Sequence, residues 1–336
     1  MLNHPVSRRH FFYGALLAGA VPAGVGRAQP QRPDPAKLAR ISIMSLCFNR
    51  VIRNPARPDD ATRTLDILDF PQMVADRYGV HLVELQHSHF ASTEPEYLRE
   101  YRNRLDKAGS KMHQINLEFG QLSASANLVQ RLEAIDLTKA WVDHAVILGC
   151  PRIMPNPGSL APEVRQTAIE ALRTMNAYAK TRNVFITMEN RDDGTGGTPS
   201  RYPSWDVEAE VIKAAGIWSN PDVGNFPDEQ KRAAGLPVLF PLSSGGSHWH
   251  YNPQEYNEAA AVNVAKAAGY KGVFSIEAEN YNGPDPYVAV QTILDELLKD
   301  MLCALRRGAD LLVCLLRLIA RIPTGRRRSC AMLECF

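Results

Sequence analysis

The chain of 336 residues is long enough for one large domain with a complete hydrophobic core. Its hydrophobic content of 45% and charged content of 22% are ordinary for a soluble globular protein. The formal net charge of +2 gives no indication of nucleic-acid binding through bulk charge.

Residues 1–28 have the pattern of an export signal. Ser7-Arg-Arg-His-Phe-Phe12 carries two adjacent arginines and precedes an Ala- and Gly-rich run from Tyr13 to Gly26. The segment resembles a twin-arginine signal, with cleavage after Ala28. A membrane anchor is the weaker interpretation, because the run is short and is broken by Pro22. We therefore expect the twin-arginine export machinery as a partner, a periplasmic location and no stable membrane span.

Residues 29–40 are rich in Pro, Arg and Gln and are predicted to be a linker. From residue 41 to 300, apolar strands alternate with amphipathic helices. Strands are predicted at Ile41–Phe48, His81–Gln86, Lys111–Phe119, Pro151–Met154, Val184–Glu189, Ile217–Asp222, in a segment led by Ser243–His250, and at 272–279. Helices are predicted at Phe70–Tyr78, Glu94–Ala108, Leu128–Leu148, Pro162–Lys180, Trp205–Ala215, Asp228–Phe240, Tyr256–Ala268 and Pro284–Leu298.

This alternation predicts an α/β fold, a single-domain (β/α)8 TIM barrel over residues 41–300. The run from Val184 to Met188 is apolar without alternation, which is typical of a parallel strand covered on both faces. A doubly wound open sheet is the competing fold. It lacks support, because no Gly-rich phosphate loop follows the first strand.

The segment 301–336 departs from this pattern and contains seven Arg and four Cys among Leu and Ile runs. One interpretation is a basic amphipathic helix for a membrane surface or partner. We favour the interpretation that this segment lies outside the barrel, because the preceding residues already supply a complete barrel. Within the barrel, Cys47 and Cys150 fall on opposite ends of non-adjacent strands, so no disulfide is expected between them.

Four polar residues fall at the carboxyl ends of the last four strands: Glu189, Asp222, His248 and Glu277. Each alone has a structural explanation, such as an ion pair, a helix cap or a satisfied core histidine. All four at separate strand ends are better explained by one divalent metal site at the barrel mouth. Three carboxylates and one imidazole suit Mn²⁺, Mg²⁺ or Co²⁺, and Zn²⁺ is compatible.

The motifs around these residues carry a resemblance to a known family. They are Met188-Glu-Asn190, Pro221-Asp-Val-Gly-Asn225, Ser247-His248 and Gly269-Tyr-Lys-Gly-Val-Phe-Ser-Ile-Glu277. The set resembles the xylose isomerase-like barrels, the sugar phosphate isomerase/epimerase superfamily, over residues 41–300. The resemblance implies that Glu189, Asp222, His248 and Glu277 bind one metal ion and that both Glu are catalytic.

The implied reaction is an isomerisation or epimerisation of a small carbohydrate. The ion would chelate a carbonyl and its neighbouring hydroxyl and stabilise the enediolate that forms when the adjacent C–H loses its proton. Glu189 and Glu277, on opposite sides of the ion in this family, would remove and return that proton.

Substrate contacts are predicted among polar residues near the strand ends. They are His87, His89, Asn116, Asn190, Arg191, Asn225, His250 and Glu279. Two positions depart from the family's epimerases, because Asn225 stands where a His is usual and Thr195 where a second Glu is frequent. The substrate therefore stays open, and export favours a free, oxidised or glycosidic sugar over a phosphorylated one.

Other functions compete with this one. A metal-dependent lyase or hydrolase of an oxidised glycoside would use the same chemistry, and a non-catalytic sugar-binding barrel would hold no metal. An abasic-site endonuclease of the related barrel type is disfavoured, because Asn225 replaces a required His ligand and no basic face is evident. We thus expect no nucleic-acid partner, while a homo-oligomer is left open.

Overall fold

The computed structural model describes residues 34–54, 57–118, 123–158, 160–191, 204–278 and 282–301. Several predictions fall outside these described residues: those on the signal segment 1–28, on Glu279 and on the tail from residue 302 onward. The part of the predicted linker that is described is not all extended, since Pro35–Leu38 forms one helical turn capped by Asp34.

Within the described residues, eight strands form one parallel sheet. They are β1 Ile41–Met44, β2 Leu82–Gln86, β3 Lys111–Leu117, β4 Arg152–Pro155, β5 Phe185–Glu189, β6 Trp218–Asn220, β7 His248–Trp249 and β8 Phe274–Ile276. Neighbours pair in the order β6-β5-β4-β3-β2-β1-β8-β7. Parallel bridges from Ser219 to Ser243 and from Asp222 to His248 join the two ends of this order and nearly close a barrel.

Helices separate the strands along the chain. They are α1 Pro35–Leu38, α2 Phe70–Tyr78, α3 Pro95–Lys107, α4 Leu128–Leu148, α5 Pro162–Lys180, α6 Trp205–Ala215, α7 Glu229–Leu239 and α8 Glu258–Ala267, and residues 286–301 are also helical and are named α9. The alternation confirms the predicted (β/α)8 TIM barrel. None of the described helices is long and apolar enough to cross a membrane.

The strands and helices bury the faces that their sequence patterns predict. All four residues of β1 are buried, as expected for a parallel strand with side chains inside the barrel and under the helices. Helix α3 is charged but buries Leu98, Tyr101 and Leu105, which recur at helical spacing along one face. Burial of such apolar surface is the main favourable free energy of folding.

The helix ends follow local backbone chemistry. Helix α4 ends at Gly149, whose φ of 68° lies in the left-handed region that glycine adopts without strain. A Cβ atom at this position would lie 1.6 Å from the Arg102 guanidinium, which donates to the Leu148 carbonyl. Glycine is therefore favoured at this turn by its backbone conformation, and a larger residue would also displace the Arg102 side chain.

The first strand is shorter than predicted. It ends at Met44, and Ser45–Phe48 forms a 3-10 helix instead of continuing the strand to Phe48. The Ser45 hydroxyl contacts the Gln86 backbone N–H and the His89 ring, which turns the chain across the barrel mouth. Cys47 lies in this helix, and both Cys47 and Cys150 are buried.

Candidate metal centre

The four residues predicted as metal ligands converge in the structure. Glu189 is the last residue of β5, Asp222 follows β6, His248 begins β7 and Glu277 follows β8. Each offers one ligand atom, and these atoms all lie within 4.8 Å of one another. Parallel strands of a barrel end at one mouth, so residues far apart in sequence meet there.

Backbone pairing sets the positions of two of these residues directly. His248 donates its backbone N–H to the Pro221 carbonyl, and Val223 donates to the His248 carbonyl. These bonds hold Asp222 opposite His248 although the regular part of β6 ends at Asn220. The turn after β6 is therefore as much a part of the centre as the strands.

Carboxylates surround the His248 ring. Its Nδ1 atom contacts Glu189 Oε1 through a short hydrogen bond and lies 3.1 Å from Glu277 Oε2 and 3.8 Å from Asp222 Oδ2. Burial disfavours the charged ring, but Glu84 and Glu189 outweigh it and raise the pKa of His248 well above its usual value.

This arrangement fits a divalent cation. One N–H on Nδ1 donates well to only one acceptor, whereas an ion among the same atoms takes the nitrogen and the carboxylate oxygens together. Three carboxylates and an imidazole are a hard, oxygen-rich donor set that suits Mg²⁺, Mn²⁺ or Co²⁺. Glu189, Asp222, His248 and Glu277 would hold such an ion.

Asp222 is held from several sides. Its Oδ1 accepts from the backbone N–H groups of Gly224 and Asn225, at 2.6 and 3.0 Å. Its Oδ2 contacts the Asn225 amide at 3.1 Å and His250 Nε2 at 2.9 Å. Burial and the nearby Glu189 and Glu277 raise the pKa of Asp222 to about 6, against the opposing effect of His250.

The Arg191 side chain is held by two carboxylates, those of Glu189 and Glu118. Its Nε donates to Glu189 Oε2 at 2.6 Å, and a terminal nitrogen donates to Glu118 Oε1 at 2.6 Å. Burial opposes ionisation of Glu189, yet Arg191 and His248 lower its pKa well below the usual range. The guanidinium thus neutralises and orients Glu189.

An open cavity of about 410 Å³ lies directly over the four-residue cluster. Glu189, His248 and Glu277 form part of its wall. Five of the predicted substrate-binding residues also line this cavity: His89, Asn116, Arg191, Asn225 and His250.

His89 presents a neutral ring to the cavity. The ring contacts the Ser45 hydroxyl at 2.8 Å and the Asn49 amide oxygen at 3.2 Å. Burial, with added repulsion from Arg63 and His87, lowers the pKa of His89 to about 4.

Two of the predicted substrate-binding residues, Asn190 and His87, are bonded to other parts of the protein. Asn190 is 1% exposed, and its amide bonds the backbone of Asp222 in both directions and the Asn225 carbonyl. It holds the turn after β6 from beneath. His87 accepts from the Glu118 backbone N–H at 3.2 Å and packs edge-on against Trp141. Neither residue lines the described cavity, and Glu279 lies outside the described residues.

Trp249 packs in the hydrophobic core. It is fully buried between the rings of Phe240 and Phe274, and its indole N–H donates to the Ser247 hydroxyl at 2.8 Å. It offers no stacking surface to a sugar in the cavity.

Sequence reasoning missed Glu84, the residue behind the His248 ring. Glu84 lies in the middle of β2, is fully buried, and accepts from His248 Nε2 at 2.7 Å. A carboxylate inside an otherwise apolar strand is itself a signal, because such a group is rarely buried without a partner. Glu118, which pairs with Arg191, was missed as well.

Comparisons with known proteins agree with this architecture. The family model described as xylose isomerase-like TIM barrel matches residues 73–299. No curated protein matches the chain significantly.

Solved structures share the fold at low sequence identity. An L-ribulose 3-epimerase aligns with a TM-score of 0.62 at 15% identity, over 82% of this chain and 98% of that one. A xylose isomerase-like TIM barrel protein from Mycobacterium smegmatis in complex with magnesium aligns with a TM-score of 0.57 at 17% identity, covering 80% and 99%. A 3-keto-D-glucoside 4-epimerase from E. coli aligns with a TM-score of 0.58 at 13% identity, covering 78% and 98%.

The fold and the cluster define a parallel α/β barrel with one compact group of three carboxylates and an imidazole at its mouth. The match over residues 73–299 covers more than half of the chain. The chain belongs to the xylose isomerase-like TIM barrel family.

Proposed function

We propose that the protein is a divalent-metal-dependent isomerase or epimerase of a small carbohydrate, with Glu189 and Glu277 as acid and base. The observation that carries this proposal is the convergence of Glu189, Asp222, His248 and Glu277 within 4.8 Å beneath an open cavity. Two proteins of similar fold, an L-ribulose 3-epimerase and a 3-keto-D-glucoside 4-epimerase, support the assignment to carbohydrate epimerases or isomerases.

The two glutamates have different surroundings. Glu189 is tied to Arg191 through Oε2, whereas Glu277 contacts His248 and His250 and lines the cavity. When bound, the ion withdraws electron density from a sugar carbonyl and so acidifies the C–H bond beside it. Glu277 takes that proton, and Glu189, three strands away around the barrel, returns a proton from the other side.

The cavity limits the size and character of the substrate. Its volume of about 410 Å³ suits a small sugar, and amide, imidazole and hydroxyl groups on its wall can bind sugar hydroxyls. Among the cavity-lining residues that the structure describes, Arg191 supplies the one guanidinium, and it already pairs with Glu189 and Glu118. We therefore propose an unphosphorylated sugar or oxidised glycoside.

The test combines metal analysis with proton exchange. We expect purified protein to bind about one divalent ion per chain and to exchange a substrate C–H for deuterium in heavy water, with ketoses and 3-keto-glucosides as probes. His248→Ala and Glu277→Gln should lose ion binding or exchange while remaining folded. Glu258→Gln, the same chemical change at a buried glutamate of α8, is the matched control and should retain both.

Folded wild-type protein that takes up no Mn²⁺, Mg²⁺ or Co²⁺ would contradict the proposal and favour a sugar-binding role. Deuterium exchange followed by release of the aglycone would favour the second candidate, a lyase of an oxidised glycoside. Asn225 is the observation behind that candidate, because its amide is bonded to Asp222 Oδ2 where the family's epimerases usually have a His.

A further inference from the structure

Glu84 is a buried carboxylate inside the barrel that the proposed reaction does not use directly. It lies at the centre of β2 with no exposed surface. The pairing of β2 with β3 changes register between Val83 and Glu84, so that Glu84 pairs with Gln114 and not with His113. Such irregularities re-aim side chains next to functional sites.

One oxygen of Glu84 collects three hydrogen bonds. Oε1 accepts from His248 Nε2 at 2.7 Å, from Asn116 Nδ2 at 2.8 Å and from Gln114 Nε2 at 3.1 Å. Gln114 is itself held, since its Oε1 accepts from the Thr187 hydroxyl at 3.0 Å. Amides from β3 thus hold the same carboxylate oxygen that contacts His248.

The contact with Glu84 determines which nitrogen of His248 carries a proton. An ionised carboxylate only accepts hydrogen bonds, so His248 Nε2 must be the protonated nitrogen. In the neutral ring, Nδ1 then presents its lone pair, and Nδ1 is the atom that faces Glu189, Asp222 and Glu277. Carboxylates behind a metal-binding imidazole act in this way, fixing its orientation and raising its basicity.

We propose that Glu84 is a positioning residue that holds His248 with Nδ1 directed into the metal centre, and that Asn116 and Gln114 hold Glu84 for this task. The inference rests on the proposed metal site. It gives Asn116 a role besides that of a cavity-lining residue, because its amide donates to Glu84.

The test measures metal affinity and the proton position separately. Glu84→Gln keeps the shape and leaves a carbonyl oxygen for the three donors that contact Oε1, but it removes the charge. Glu84→Leu removes the acceptor altogether. We expect Mn²⁺ affinity, titrated calorimetrically on chelated full-length protein, to fall about 10-fold in Glu84→Gln and up to about 100-fold in Glu84→Leu. Glu258→Gln should bind Mn²⁺ as the wild type does.

Nitrogen-15 NMR of the Mg²⁺-loaded protein supplies a readout that general destabilisation does not move. The His248 signals, assigned by their loss in His248→Ala, should show a proton on Nε2 and none on Nδ1. In the Glu84 variants we expect proton exchange at Nε2 to become faster.

The outcomes separate this inference from the proposed function. Wild-type protein that binds no ion would overturn the metal site itself. Wild-type protein that binds Mn²⁺, with both folded Glu84 variants binding within twofold of it, would overturn only the role of Glu84. If Glu84→Leu does not fold, the isosteric Glu84→Gln decides between the outcomes.

Discussion

At the residue scale, His248 is contacted by carboxylates from four different parts of the barrel. Glu84 approaches one ring nitrogen, while Glu189, Asp222 and Glu277 surround the other. The sequence predicted the three carboxylates because they fall at strand ends. Glu84 was not predicted, because it lies in the middle of a strand. Its contact with the His248 ring on β7 becomes visible only in the folded barrel.

Predictions about individual contacts were less complete. Strand position indicates that a residue lies near the mouth, but not which way its side chain turns. Asn190 directly follows Glu189, a predicted metal ligand, and its amide bonds the backbone at Asp222 and Asn225. Whether such a side chain faces the cavity or bonds the backbone depends on neighbouring turns, and the local sequence pattern does not specify these.

Gly224 provides a test of packing beside the centre. A Cβ atom there would lie 2.6 Å from His250 Cδ2 and 3.3 Å from Asp222 Oδ1. We expect Gly224→Ala to displace His250, to cost about 1–3 kcal/mol through overpacking, and to weaken Mn²⁺ binding. Thermal unfolding and metal titration measure the two effects.

Gly269→Ala is the matched control for this substitution. Gly269 has a φ of 72° with nothing within 4 Å of an added Cβ, so alanine should cost about 1–2 kcal/mol of backbone strain. Metal affinity should not change in this variant. Equal metal affinities in both alanine variants would show that the His250 contact does not matter to the centre.

At the element scale, helices were predicted more accurately than strands. The bounds of α2, α4, α5 and α6 agree with prediction, because proline, capping and glycine signals mark their ends locally. Strands β7 and β8 are short, with Phe274–Ile276 in place of the predicted 272–279. Strand ends depend on pairing with neighbours, which a single segment does not specify.

The N-terminal turn of α8 contains an unusual buried acid, Glu258, which is 5% exposed. Burial and the proximity of Asp300 and Glu296 raise its pKa to about 9. Because this folded-state pKa exceeds the unfolded value of about 4.3, the folded state holds the proton more tightly. The stability contributed by this group is complete below that unfolded pKa and is lost as pH rises towards 9.

We therefore expect Glu258→Gln to flatten the decline of the melting temperature between about pH 5 and pH 9. Thermal melts of wild type and variant across that range measure the effect. Glu163→Gln, an exposed change in the first turn of α5, is the comparison and should leave the slope unchanged. A wild-type slope retained in Glu258→Gln would contradict the assignment of this titration to Glu258.

At the scale of the whole molecule, the barrel follows from the repeated order of strand and helix. Eight buried parallel strands need helices on their outer face, and closure removes the two exposed sheet edges. The sequence pattern therefore predicted the fold class and the single barrel domain. The family match over residues 73–299 agrees with that prediction.

Export remains a proposal that rests on Arg8 and Arg9 in the first 28 residues. We expect replacement of both arginines by lysine to stop twin-arginine export and to leave the precursor in the cytoplasm, because that route selects for the arginine pair. Cell fractionation with an epitope-tagged chain measures this. Lys37→Arg, beyond the predicted cleavage site, is the control and should be exported. Continued export of the double-lysine variant would contradict the proposed route.

The sequence by itself determined the elements, the barrel and the identity of the four residues at the last strand ends. These follow from the period of hydrophobic residues, from the proline, glycine and capping residues at helix ends, and from the rule that parallel barrel strands all end at one mouth. Only the tertiary structure decided that Glu84 stands behind His248, that Arg191 is paired with Glu189 and Glu118, and that Asn190 lies beneath the site. Those contacts join residues distant along the chain or depend on side-chain direction, and both are set by the closure of the barrel.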